Sequence, residues 1–189
     1  MKKILLTLVL GGGLLSAHAT IYRYAVDLSP VPGGTGSGAG TANYDDVTHS
    51  LQLQLTWSGL SGNTTVSHIH GPTTTPFTGT AGVVLTPSTL PGFPAGVTSG
   101  SYSITLDLTQ ASTYPASYIT ANGGTTAGAE AAITTAMAEG RTYWNVHTTT
   151  FGGGEINGFL TAVPEPSILA LAGIGGGLLA IQRRRINRI

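Results

Sequence analysis

Leu51-Gln52-Leu53-Gln54-Leu55-Thr56-Trp57 changes character at every second position, with leucines and tryptophan on one side and glutamines and threonine on the other. A period of two belongs to an extended strand, whose successive side chains point to opposite faces, so the stretch predicts a half-buried antiparallel strand. Tyr22-Arg23-Tyr24-Ala25-Val26-Asp27-Leu28 and Tyr102-Ser103-Ile104-Thr105-Leu106-Asp107-Leu108 alternate in the same way, and shorter candidates cover 66–70, 81–85, 142–148 and 155–162. Seven strands punctuated by glycine and proline predict an all-β fold, a sandwich or barrel, of which an antiparallel β-sandwich is the expectation taken forward. One segment departs from the pattern: alanine-rich 127–139, closed by Gly140, predicts a short surface helix. The stretch 29–40 reads as either a flexible linker, which is favoured, or a frayed hairpin, and 71–79 and 86–100 read as surface excursions to which no chemistry is assigned.

The chain has 189 residues, of which only 8% are charged, and no cysteine. Without a thiol, disulfide scaffolds, zinc ribbons and cysteine nucleophiles are excluded. Most of the basic residues lie at the two ends. Between 20 and 162 only Arg23 and Arg141 face Asp27, Asp45, Asp46, Asp107, Glu130, Glu139 and Glu155. An acidic domain of this kind has no means of neutralising a run of phosphates, which argues against a nucleic-acid partner.

The ends carry addresses. Lys2-Lys3, the apolar run 4–15 and Ala17-His18-Ala19 have the order of a secretory signal peptide over 1–19, so the mature chain is expected to begin at Thr20. At the far end, 163–189, Val163-Pro164-Glu165-Pro166 precedes an uncharged stretch 167–181 and the cluster Arg183-Arg184-Arg185. Fifteen helical residues span about 22 Å, short of a roughly 30 Å hydrocarbon core. A short C-terminal hydrophobic helix acting as a transient inner-membrane anchor is therefore expected, with the arginines on the cytoplasmic side. What lies between, 20–162, has the size of one domain.

Within that domain His68 and His70 flank Ile69, and strand geometry places both imidazoles on one face about 6.6 Å apart. In Tyr143-Trp144-Asn145-Val146-His147 the apolar Trp144 and Val146 are expected to face the core, which turns Asn145 and His147 outward. His68, His70 and His147 are thus candidate ligands of one transition metal, with zinc, copper or nickel suited to imidazole. Glu155 is a candidate fourth ligand or outer acceptor. The sequence leaves open whether the two strands are neighbours.

Two resemblances follow from these residues. The ordered tail from Val163 to Arg185 resembles the PEP-CTERM sorting signal of Gram-negative bacteria that make extracellular polysaccharide. That resemblance implies recognition by an exosortase-type membrane protease, through Pro164, Glu165, Pro166 and Arg183, Arg184, Arg185, and a final place at the cell envelope or outside it. Ser67-His68-Ile69-His70-Gly71-Pro72, with Gly140-Arg141-Thr142-Tyr143-Trp144-Asn145-Val146-His147-Thr148 and Gly153-Gly154-Glu155-Ile156-Asn157-Gly158, is similar to the CHRD domain. The chain departs from it at Trp144, where a small aliphatic residue is usual, and at Asn157, where an arginine is usual. The resemblance implies a β-sandwich of extracellular proteins, in the immunoglobulin-like or superoxide-dismutase-like class, without an agreed catalytic activity.

The functional expectation is a non-catalytic binding or structural module of the cell surface or matrix, with extracellular polysaccharide as a candidate partner. Tyr22, Tyr114 and Tyr118 are candidate sugar-stacking faces. No Gly-x-Ser-x-Gly elbow or paired acid and base is found. The alternative is a mononuclear, histidine-ligated metal domain, redox-active if the metal is copper. A second metal would need more histidines than the mature chain contains.

Overall fold

The computed structural model describes residues 20–164. The expected signal peptide over 1–19, and Glu165, Pro166, the hydrophobic stretch and Arg183 to Arg185, lie outside the described residues.

Among the described residues nine antiparallel strands form the scaffold: β1 (Ile21–Pro30), β2 (Ser37–Asp45), β3 (Ser50–Ser58), β4 (Thr64–His70), β5 (Val83–Leu85), β6 (Gly100–Asp107), β7 (Tyr143–Thr148), β8 (Ile156–Phe159) and β9 (Thr161–Ala162). They run in the order β5-β4-β7-β8-β1-β2-β3-β6, with β9 also on β1. β1 is the fold line. Its first eight residues pair with β2, whereas Ser29 and Pro30 pair with Asn157 and Ile156 of β8. The sheet bends there, and its halves close over one core as an open sandwich, or half-barrel.

The alternation in β3 is realised in full: Leu51, Leu53, Leu55 and Trp57 are buried while Gln52, Gln54 and Thr56 face solvent. From the other half Ile69, Trp144, Val146 and Ile156, each 0% exposed, meet them in the same cluster. Burying such a side chain contributes roughly 1.5–3 kcal/mol relative to leaving it in water. The core therefore specifies the fold line and the strand faces together.

The linker favoured over 29–40 is corrected in favour of the other reading, a hairpin. β1 continues through Pro30 and β2 starts at Ser37, leaving only a short turn. β2 is an interior strand between β1 and β3, and its register sets Gly38 opposite Trp57 and Gly40 opposite Leu55. A Cβ on Gly38 would come within 2.9 Å of the Thr56 carbonyl oxygen, so glycine permits a close approach of backbones here. Small residues hid the alternation, although Ala42 and Tyr44 do face the core.

Among the described residues two α-helices complete the domain, where one was expected. α1 (Ala116–Ala121) is short; α2 (Thr126–Ala138) begins under the Thr125 hydroxyl, which accepts the Gly128 N–H at 3.1 Å. α2 is not a surface helix, because Ala129, Glu130, Ile133, Ala136 and Met137 form a buried stripe against the core. Gly140, at φ +66°, stops it in the left-handed region as expected. Among the described residues no helix is long and apolar enough to cross a membrane.

Candidate functional site

β4 and β7 are direct neighbours, with His68 opposite Asn145, Ile69 opposite Trp144 and His70 opposite Tyr143. The inward side is as expected: Ile69, Trp144 and Val146 are fully buried, and the Trp144 indole donates to Ser67 Oγ at 2.8 Å. The large indole thus fills the core instead of disturbing the opposite face.

On that opposite face His68, His70 and His147 converge, one nitrogen of each lying within 4.8 Å of the others. Their remaining nitrogens are committed to backbone carbonyls. His68 Nε2 meets Ser88 O at 2.8 Å, His70 Nδ1 meets Ala81 O at 2.9 Å, and His147 Nδ1 meets Gly152 O at 2.8 Å. A carbonyl only accepts, so each of these three ring nitrogens carries the proton. The tautomers are thereby set, and His68 Nδ1, His70 Nε2 and His147 Nε2 are left as lone pairs.

Two of those lone pairs face each other. His68 Nδ1 is 3.3 Å from His147 Nε2. With both other nitrogens protonated toward carbonyls, neutral rings have no proton of their own to place between them, and the nearby donor is the Asn145 amide, 3.2 Å from His147 Nε2. His70 Nε2 is buried without any partner, and so is Asn145 Oδ1, whose amide nitrogen donates to Gly153 O at 3.0 Å and approaches His147 Nε2 at 3.2 Å. Burial pushes the pKa values of His68 and His70 below the ordinary imidazole value, against the opposing pull of their carbonyl partners, which favours the neutral form a metal requires.

The loops contribute more than the sequence indicated. Ser88 belongs to the excursion 86–100 and Ala81 to the segment before β5, yet their carbonyls orient two of the three rings. Tyr143 stacks on His70 at 5.0 Å and its hydroxyl is 3.2 Å from Ala81 O, bracing the same loop. The expected exposure is also corrected: His68 is only 7% exposed because these loops cover the outer face. The carbonyl partners have no side-chain signature and are not legible in the sequence.

Glu155 does not join the imidazoles. Its carboxylate is fully buried and accepts the Ser61 N–H at 2.6 Å, the Thr148 hydroxyl at 2.7 Å, the Thr35 N–H at 3.2 Å and the Gly62 N–H at 3.3 Å. Burial alone would raise its pKa, but these donors overcome it and hold the group at about 2. The donors tie the 31–36 turn, the β3–β4 loop and β7 together. Of the candidate aromatics, Tyr22 is exposed, whereas Tyr114 is buried with its hydroxyl on Leu108 O at 3.0 Å, and Tyr118 packs against the core.

Comparison with known families finds the CHRD domain over residues 24–160 and the PEP-CTERM protein-sorting motif over residues 162–186. Curated proteins and solved structures yield no match.

Proposed function

The chain belongs to the CHRD-domain family and carries an exosortase sorting motif that directs it to the cell envelope, and from that premise we propose that it is an exported module holding one transition-metal ion on His68, His70 and His147. The observation that carries the proposal is the 3.3 Å approach of two imidazole lone pairs whose partner nitrogens are pinned by carbonyls. Three nitrogens at about 2.0–2.1 Å from a tetrahedral ion stand roughly 3.3 Å apart, so one edge of the triangle already has the required length. Carbonyl-bound second nitrogens are the outer partners that ligating histidines use to fix their tautomer.

Three protein ligands leave a fourth position for water or another exogenous ligand. Zinc there would polarise that ligand; copper would in addition change oxidation state. The test is elemental analysis of the full chain purified without a histidine tag, followed by reloading with zinc or copper. About one equivalent, lost in the His147→Ala variant, supports the proposal, and less than a tenth of an equivalent of any transition metal overturns it.

A second reading concerns the face of the other half-sheet. Gln52, Gln54 and Thr56 of β3 and Ser101, Ser103 and Thr105 of β6 form an exposed, uncharged array of amides and hydroxyls. Such a surface supports a non-catalytic role in contact with neutral polysaccharide in the matrix. Failure of the chain to be retained on the host polysaccharide would count against it, whatever the metal result.

A further inference from the structure

Both chain ends leave the domain at one place. Thr20 donates its backbone N–H to Asp46 Oδ1 at 2.9 Å, in the turn between β2 and β3, and Ile21 pairs with Asp45. On the other side of β1, β9 runs antiparallel, with Ala162 opposite Tyr24, and the Val163 N–H reaches Arg23 O at 2.8 Å. Residues 20–22, the turn at 46–49 and residues 163–164 therefore make up one end of the sheet.

Apolar exposure gathers at that end. Of the six large hydrophobic side chains left exposed among the described residues, four are here: Ile21 (37%), Tyr22 (45%), Val47 (50%) and Val163 (45%). Single exposed hydrophobics need no explanation; these four come from three separate segments, with Ile21 and Tyr22 on opposite faces of β1, so what they share is the end of the domain, which suits an end-on contact.

The covalent chain identifies what it touches. Only Pro164-Glu165-Pro166 separate Val163, tied to β1, from the uncharged stretch that starts at Ser167. Fully extended, Val163 to Ser167 covers at most about 14 Å. The headgroup layer is itself roughly 6 Å deep on each side. With the tail inserted, this end of the domain can stand no more than about 8 Å above the headgroup surface, close enough for its exposed side chains to reach the interface.

We propose that, until the tail is cut, the domain rests on the phospholipid interface through Ile21, Tyr22, Val47 and Val163. The inference relies on the tail acting as a membrane anchor. Asp45 and Asp46 outnumber Arg23 on this end, so attraction to anionic headgroups does not drive the contact. Apolar burial, and the preference of tyrosine for the interface, do. The consequence is positional: the Pro164 to Pro166 segment is held at the membrane surface, within reach of a membrane-embedded protease, and once the tail is removed four side chains alone do not retain the domain.

The absence of cysteine makes the test clean. Full-length Val47→Cys, labelled with a polarity-sensitive fluorophore, is reconstituted in phosphatidylcholine vesicles beside Gln54→Cys, whose label sits on the solvent face of β3. Expected are flotation of both variants with the vesicles, and roughly fivefold weaker iodide quenching at Val47 than at Gln54, a difference that disappears when the chain is truncated after Pro164. Flotation with equal quenching leaves the anchor standing and overturns the seated domain. Failure to float overturns both. Protection of Val47 that persists without vesicles and grows with protein concentration means that a second copy covers the patch, and overturns the proposal as well.

Discussion

Nδ1 of His68 and Nε2 of His147 face each other at 3.3 Å across the β4–β7 ladder, 79 residues apart in the chain. Neither can donate to the other, since each ring's proton is engaged by a backbone carbonyl. The proposed metal ion would sit between these two nitrogens, and its consequences can be measured.

Zinc or copper at about a hundredfold over its dissociation constant should raise unfolding free energy by about 2.7 kcal/mol, and a chelator should reverse the gain. His147→Ala should lose the gain, while Asn145→Ala should keep near-stoichiometric metal, because the Asn145 amide competes for His147 Nε2 and is not a ligand. Differential scanning calorimetry with and without metal checks both variants. Equal metal response in wild type and His147→Ala would refute the site.

Glu155→Gln should destabilise the domain by about 2–4 kcal/mol, since one carboxylate oxygen facing backbone N–H donors becomes an NH2 group. The pH dependence has a defined sign. A folded pKa of about 2, below the unfolded value, gives a stabilisation that is complete above the ordinary carboxyl pKa and is lost as pH falls through about 2. Urea midpoints between pH 5 and 2 should therefore fall more steeply in wild type than in the variant.

Gly40→Ala should cost about 2–4 kcal/mol, because the new Cβ would be driven into the Gln54 carbonyl and the Leu55 side chain. Gly82→Ala, with open space around the added atom, should stay within about 0.5 kcal/mol of wild type. Urea unfolding of the pair separates a close backbone approach from a general intolerance of substitution.

His49 should titrate above the ordinary imidazole range, because its ring bonds to Glu130 Oε1 at 2.9 Å and that carboxylate also attracts the charged form. Its contribution to stability is present at pH below the unfolded imidazole value and is lost as pH rises through the raised folded value. NMR titration of the His49 ring in wild type and Glu130→Gln should show the pKa falling in the variant.

Much of the scaffold was legible in local pattern. The period-two stretches at 51–57, 22–28 and 102–108 became β3, β1 and β6, and Gly140 stopped the helix where expected. β2 was missed because its information lies in what glycine lacks: Gly38 and Gly40 carry no side chain to alternate, and their role appears only when β1 and β3 close on either side.

For the site, sequence alone settled which residue types were available and which way each strand faced, because side-chain direction along a strand is a local property with a repeat of two. It put His68 and His70 on one face, and His147 opposite Trp144 and Val146 in direction. Only the tertiary structure decided that β4 and β7 are partners, that loop carbonyls at Ala81, Ser88 and Gly152 fix the tautomers, and that Glu155 serves the loops instead of the imidazoles. Strand adjacency and backbone-carbonyl contacts depend on how the whole chain closes around its core, and carbonyls are the same at every residue, so no local pattern encodes them.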